Sequence, residues 1–456
     1  MDFSTINPTN GKILKKYSYS SLDLLKKDLQ LLHETFLKWR LVALSKRIEI
    51  LSELEILLKA HQDEIEGLMA LEMGKPLKEG RAEVDKCILL VNVFKAKAPA
   101  WLADEIIQAD GIENKIIYQP LGVVLGIMPW NFPFWQVFRV AVPALLVGNT
   151  VAIKHAQSTA GCGELLEKIF SQLSFGHPLY KNLISDHENL GKLIQERIVE
   201  GVSLTGSTRA GKIVGGLAGA KLKHQVLELG GSDAFIVCED ANINKAAAGA
   251  VLGRFSNCGQ SCIAAKRIFV HQKVFEPFCQ ELINLLEEKK LGDPQDETVQ
   301  IGPLVNESAL LQITAQFEDA LKKGAKVLFQ QEEIPKKGYF FGPAVLTHIT
   351  EKMDIYQQEV FGPLAMIFTF DDEDQAISLA NQSDYGLGGS IWSHDLDRAK
   401  QLAKNLECGA VFINSITKSD PLMPFGGIKD SGVGRELSRH GLLEFTNVKT
   451  INVYKD

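Results

Sequence analysis

From residue 116 onward, short apolar runs alternate with amphipathic stretches, and this alternation constrains the fold more than any other feature of the chain. Ile116-Ile-Tyr118, Gly122-Val-Val-Leu-Gly-Ile127 and Thr150-Val-Ala-Ile153 read as strands, and residues 163–173 read as a helix. Strands that alternate with helices imply parallel βαβ units. The alternation returns after Gly231: Ala234-Phe-Ile-Val237 reads as a strand, residues 244–254 as a helix and Lys266-Arg-Ile-Phe-Val270 as another strand. A second α/β domain is expected there. Ahead of both, residues 21–110 carry helical periodicity, with Leu41, Leu44, Ile48, Leu51, Leu54 and Leu58 recurring every three or four positions among charges. No internal repeat or low-complexity linker interrupts the chain.

The length of 456 residues favours two or three domains, and a composition of 45% hydrophobic and 23% charged residues suits an ordinary globular protein. A net charge of -7 gives no electrostatic reason to expect nucleic acid or an anionic membrane as partner. The 7 cysteines, an odd number scattered widely, do not resemble a disulfide framework and are expected to be reduced thiols. The N-terminus lacks a basic region followed by an apolar run, and no stretch of about 18 apolar residues occurs. The expected compartment is the cytoplasm.

Four segments carry chemistry. Phe255-Ser-Asn-Cys-Gly-Gln-Ser-Cys262 is a glycine-containing turn presenting two thiols. Cysteine attacks carbonyl carbon as the thiolate and needs a cation, a helix N-terminus or a base to reach it. Either thiol also reads as a small buried hydrophobe. The C-x-x-x-C spacing has no second ligand pair nearby, so no metal site is expected. In Leu227-Glu-Leu-Gly-Gly-Ser232, Glu228 sits in an apolar stretch before a Gly-Gly turn, where desolvation raises a carboxyl pKa and can make it a general base. Met128-Pro-Trp-Asn-Phe-Pro133 is a double-proline turn that holds Asn131 rigidly, and an amide donor placed so can stabilise an oxyanion. Thr205-Gly-Ser-Thr-Arg-Ala-Gly211 opens a helix, and backbone N–H groups at a helix start attract phosphate. With Lys212 this run reads G-x-x-x-x-G-K, which allows a P-loop phosphotransferase, although Ile213 offers no hydroxyl for Mg²⁺. G-x-G-x-x-G is absent there, so a dinucleotide would be held differently from the usual Rossmann crevice.

In this order and over nearly the whole chain, these segments resemble the aldehyde dehydrogenase superfamily. The resemblance extends to Val151-Ala-Ile-Lys154, Glu359-Val-Phe-Gly-Pro363 and Pro424-Phe-Gly-Gly-Ile-Lys-Asp-Ser-Gly432. Ile153-Lys-His-Ala156, Leu229-Gly-Gly-Ser-Asp233 and Glu407-Cys-Gly-Ala-Val-Phe-Ile-Asn414 look most like its bacterial succinate-semialdehyde dehydrogenase branch. The resemblance implies that Cys262 is the nucleophile, while Cys258 matches no required role. The main-chain N–H of Cys262 and the Asn131 amide would form the oxyanion hole, typically about 2.7–4 kcal/mol per donor. Glu228 would activate water to hydrolyse a thioester. Lys154 and Glu359 would hold the two riboses of NADP or NAD, Gly206 and Ser207 the pyrophosphate, and Trp130 and Phe361 the cleft walls.

NAD-preferring relatives commonly place a glutamate where this chain has Gln157, so the repulsion of a 2′-phosphate is missing and use of both coenzymes is expected. For a semialdehyde carboxylate, Arg139 and Ser419 match the positions that relatives use, whereas Ser256 stands where some relatives have a second arginine. The lesser alternative for Arg139 is a salt bridge within its helix. Succinate semialdehyde is the expected substrate, with glutarate semialdehyde or a neutral aldehyde as alternatives.

The implied architecture is α/β: two α/β domains with parallel sheets plus a β oligomerisation arm. The coenzyme domain would span residues 1–112 and 128–229, the catalytic domain 230–424, and the oligomerisation strands 113–127 and 446–456. The run Val448-Lys-Thr-Ile-Asn-Val-Tyr454 has the character of an exposed edge, so a homodimer or homotetramer is expected.

Overall fold

The computed structural model describes residues 2–456. After a hairpin of Asp2–Ile6 and Ile13–Ser18, the chain runs through helices Leu22–Trp39, Leu44–Ala60, Gln62–Met73 and Leu77–Trp101, the helical opening that the periodicity predicts. The hairpin itself goes unread in the sequence because Ile13–Ser18 is mostly exposed and carries no apolar alternation.

Two twisted sheets follow. The first has six strands in the order Gly432–Val433, His224–Glu228, Val199–Thr205, Val123–Met128, Thr150–His155, Tyr180–Asn182, parallel except for the first. Val123, Leu125 and Ile127 face one core with Leu25, Leu29 and Leu32, while Val124 and Met128 face another with Phe134, Phe138 and Leu145. Helices thus cover both faces, which is why Val123–Met128 and Thr150–His155 are buried at every position and read as continuous apolar runs. The second sheet has seven strands, Lys326–Gln330, Ala344–Thr347, Leu364–Phe370, Arg267–His271, Ala234–Val237, Gly388–Trp392 and Ala410–Ile413, parallel except at the Lys326–Gln330 edge. Its core is separate from those of the first.

A third, antiparallel sheet sets Glu113–Pro120 between Thr446–Val453 and Glu105–Ile106. The expected arm of 113–127 therefore needs correction beyond residue 120. Asn149 accepts the N–H groups of Leu121 and Gly122 at 2.8 and 3.0 Å, turning the chain so that Val123–Met128 enters the centre of the six-stranded sheet.

Helix Trp135–Val147 is buried along its whole length. A helix apolar all round belongs in a core. Arg139 is its one cation, and its partner is described below. Among the described residues no helix is long and apolar enough to cross a membrane.

Candidate active site

Cys262 follows a loop whose shape is set by three consecutive residues of positive φ, Asn257, Cys258 and Gly259. Arg254, fully buried, donates to the carbonyls of Gly259, Val360, Gly362 and Leu364, tying the loop to the 359–363 segment. Lys266 donates to the carbonyls of Ser261 and Cys262, both at 2.8 Å, and pairs with Glu359 at 2.8 Å. The loop separates the two thiols. Cys258 is 1% exposed in the core of the seven-stranded sheet, whereas Cys262 is part-exposed on a cavity of about 490 Å³. Desolvation pushes the Cys262 thiol up to about 12, against the pull of Lys266 and Arg139.

Asn131 lines the same cavity. Its amide oxygen accepts from Gln136 at 3.0 Å, and its amide nitrogen donates one hydrogen to the Gln260 carbonyl at 2.9 Å. The amide has a second hydrogen to give. The Asn131 carbonyl accepts from Lys75 and from the Asn257 side chain, both at 2.9 Å. Lys75 is itself buried and paired with Glu83, which also accepts the N–H groups of Phe134 and Trp135 at 2.9 Å. Glu79 accepts the Asn257 N–H at 2.9 Å. Helix Leu77–Trp101 thus holds the oxyanion-type amide and the thiol loop in one frame.

Glu228 ends its strand 1% exposed, with neither carboxylate oxygen hydrogen-bonded. Its pKa is driven well above the carboxylate range, first by burial and then by the charge of Glu436, with Arg139 and Arg435 opposing. Glycines follow because their neighbours come close: a Cβ on Gly230 would lie 2.7 Å from Glu359 Oε2, and one on Gly231 2.5 Å from the Cys262 carbonyl. Ser431 donates to the Gly230 carbonyl at 2.6 Å, so the 424–436 segment folds back over Glu228.

The residues present fit a nicotinamide dinucleotide. Trp130 and Phe361 pack edge to face on the cavity wall, their ring centroids 5.7 Å apart, and Glu359 offers a carboxylate to hydroxyls. Gly206 and Ser207 line the same wall, where Ser207 caps helix Thr208–Gly219 by accepting from the Ala210 N–H. Lys154 and Gln157 lie in a separate small cleft with Tyr19 and Phe3 of the N-terminal segment. Lys154 is 8% exposed, is in no ion pair among the described residues, and has its pKa lowered by burial, so it is a cation short of an anion. Gln157 donates to the Tyr19 hydroxyl. The P-loop alternative fails here: Lys212 is exposed and paired with Asp430 at 2.8 Å.

The substrate side departs from expectation. Arg139 lines neither large cavity; its Nε lies 2.6 Å from Glu436 Oε2, both groups are buried, and its guanidinium stacks 4.7 Å over Phe425. The alternative of a salt bridge is what forms, although the partner is a distant segment and not the same helix. Ser419, buried, accepts from Lys86 Nζ at 2.7 Å and Trp135 Nε1 at 3.1 Å. Ser256 lines a second cavity of about 540 Å³, and Lys86 lines it too.

The aldehyde dehydrogenase family profile matches residues 1–451. The chain belongs to the aldehyde dehydrogenase family. It is 42% identical over 451 residues to a probable NADP(+) succinate-semialdehyde dehydrogenase of Synechocystis sp., covering 99% of each chain. It is 39% identical to the NAD(P)+ succinate semialdehyde dehydrogenase Sad of Escherichia coli K12, covering 99% of this chain and 97% of that one. Its fold matches, with a TM-score of 0.97, the crystal structure of succinic semialdehyde dehydrogenase from Streptococcus pyogenes in complex with NADP+, at 34% identity and covering 99% and 100% of the two chains. The two α/β sheets are those of an aldehyde dehydrogenase, and the enzyme is an oxidoreductase.

In this enzyme the sequence reading missed Lys75, Lys86, Lys266 and Glu436. Lys75, Lys86 and Lys266 look like ordinary helix or strand-flanking charges. The one available signal was at Glu436, an acid in a segment, 424–436, that already carried a family motif.

Proposed function

We propose that this dehydrogenase oxidises succinate semialdehyde to succinate with NADP or NAD, through a cysteine thiohemiacetal and thioester. The observation that carries the chemistry is that Cys262 and Asn131 share one cavity with Glu359, Ser207 and the Trp130–Phe361 pair. The names of the relatives support the substrate and the coenzymes.

The Cys262 thiol gives up its proton to solvent water as sulfur bonds to the aldehyde carbon, and the new alkoxide is received by the free Asn131 amide hydrogen and the Cys262 N–H. When bound, the coenzyme supplies the acceptor for the electron pair of the aldehyde C–H bond. Loss of that bond leaves a thioester on Cys262. Glu228, as its carboxylate, then takes a proton from water as the water oxygen attacks the thioester carbon; the C–S bond breaks and that proton passes to the departing sulfur, which restores the thiol. A raised carboxyl pKa makes Glu228 a stronger base than an exposed glutamate. Neutral Gln157 leaves a 2′-phosphate unopposed near Lys154, which favours acceptance of NADP beside NAD.

Thr446–Val453 is the edge of its three-stranded sheet, with Asn447–Thr450 exposed and Val448 57% exposed. Unpaired edge groups of this kind are covered by pairing, and a second copy of the chain, as homodimer or homotetramer, is the occupant. The cytoplasm remains the proposed compartment, on the reduced state of the seven thiols.

The test is coenzyme reduction followed spectrophotometrically with aldehydes of increasing length, with and without a terminal carboxylate. Succinate semialdehyde should give the highest kcat/KM; a preference for an uncharged aldehyde would overturn the substrate assignment.

A further inference from the structure

Arg139, the cation expected to bind the substrate carboxylate, is neutralised by buried Glu436. A carboxylate taken from water needs a cation or several donors to replace its hydration, so another group must supply them.

The second large cavity points to that group. It is walled by Phe132 and Trp135 on one side and by Phe255, Ser256 and Asn257 on another. The first pair follows Asn131 in the chain, and the second set belongs to the segment that ends at Cys262. Asn131 and Cys262 line the first cavity and their chain neighbours line this one, which makes the second cavity the candidate place for the far end of an aldehyde held between them. There helix Leu77–Trp101 places Lys86, whose ammonium lies 4.6 Å over the Trp135 ring and donates to Ser419 Oγ. Among the described residues Lys86 is in no ion pair. Ser419 Oγ accepts from both Lys86 and Trp135 Nε1, which leaves its own O–H free to donate. Lys86 thus lines the cavity as a cation in no ion pair, beside Glu79 and Glu83, the latter paired with Lys75, and it donates to the Ser419 hydroxyl, which stands behind the cavity wall. Burial and the nearby charge of Arg139 push the Lys86 pKa down to about 8, with Glu83 opposing.

We propose that Lys86, with Ser419 beside it, binds the terminal carboxylate of the substrate, and that Arg139 instead positions Glu436 beneath Glu228. Lys86 is thereby the residue that selects short aldehydes bearing a terminal carboxylate. This deepens the succinate semialdehyde reading and rests on it for the identity of the aldehyde.

The experiment compares Lys86→Met and Lys86→Arg with the wild-type enzyme on succinate semialdehyde, glutarate semialdehyde and butanal, and measures succinate as a competitive inhibitor. Lys86→Met should lower kcat/KM for the carboxylated aldehydes at least tenfold more than for butanal and should raise the succinate inhibition constant at least tenfold. Lys86→Arg should recover most of both. Butanal turnover in the same samples shows that the variant has folded. Equal losses on all three aldehydes, or an unchanged succinate inhibition constant, would overturn the role of Lys86. A wild-type enzyme that prefers glutarate semialdehyde, with that preference lost in Lys86→Met, would sink the succinate semialdehyde reading while leaving Lys86 in place.

Discussion

Burial holds the Cys262 thiol up to about 12 and keeps the Glu228 carboxyl well above its ordinary range, so both groups of the proposed mechanism rest in their protonated forms near neutrality. Each becomes reactive only by losing a proton. Turnover of an uncharged aldehyde should therefore rise with pH into the alkaline range, because the competent form of each group lies above its raised pKa. A pH profile of kcat/KM for butanal that falls above neutrality would contradict this. Replacing Cys262 with alanine should cut kcat by more than about a thousandfold, whereas Cys258→Ala should keep most of it, since Cys258 faces the core of the other sheet. Comparable losses would show that the thiol assignment is wrong. Glu228→Gln should still form the thioester but hydrolyse it slowly, giving a burst of reduced coenzyme equal to the sites before a slow steady state. Unchanged steady-state turnover would remove Glu228 from the mechanism. At this scale the sequence was most legible where one short segment fixes both identity and position, as at Cys262, Asn131 and Glu359, which the fold brings to one cavity. It was least legible where a charge meets its partner across the chain: nothing local to Arg139 signals that Glu436 will sit 2.6 Å away.

Helix Leu77–Trp101 does more for the site than its polar periodicity suggests. Glu79 accepts from the thiol loop, Glu83 from the start of helix Trp135–Val147, and Lys86 reaches the second cavity, so successive turns of one helix face touch three parts of the site. Glu83 also neutralises buried Lys75. Removing one partner of a buried pair strands the other, which typically costs about 3–5 kcal/mol. Glu83→Ala should lower the unfolding free energy by about that amount and slow acylation through the loosened Asn131; chemical denaturation together with burst kinetics checks both effects. A variant with wild-type stability would show that Lys75 finds another partner. Periodicity identified this helix, but it cannot tell which of its charges are buried, because burial is decided by what later segments lay across it. The same limit explains the strand Val123–Met128, whose apolar run was clear while its sheet was not: the Asn149 side chain, donated from another element, makes the turn that separates it from Glu113–Pro120.

Across the whole molecule, the alternation of strands and helices was sufficient to expect two parallel sheets, since parallel strands need crossovers and their faces need covering. The assembly state depends on the edge at Thr446–Val453. Val448→Lys places a charge on that exposed edge and should shift the protein to a smaller sedimenting species at micromolar concentration. An unchanged sedimentation coefficient would show that this strand is not the contact between copies.

The strand Gly432–Val433 pairs with the end of His224–Glu228, and Thr446–Val453 pairs with Glu113–Pro120. Both contacts join early parts of the chain to parts that leave the ribosome long after them. Gly432–Val433 is what covers the Glu228 end of that sheet edge, so part of the burial that raises its carboxyl pKa comes from one of the last segments of the chain to be synthesised. Cys262 and the cleft residues Asn131, Ser207 and Glu359 are all made before that segment. The proposed hydrolytic role of Glu228 therefore depends on the last strands closing over a carboxylate that was made before the thiol itself.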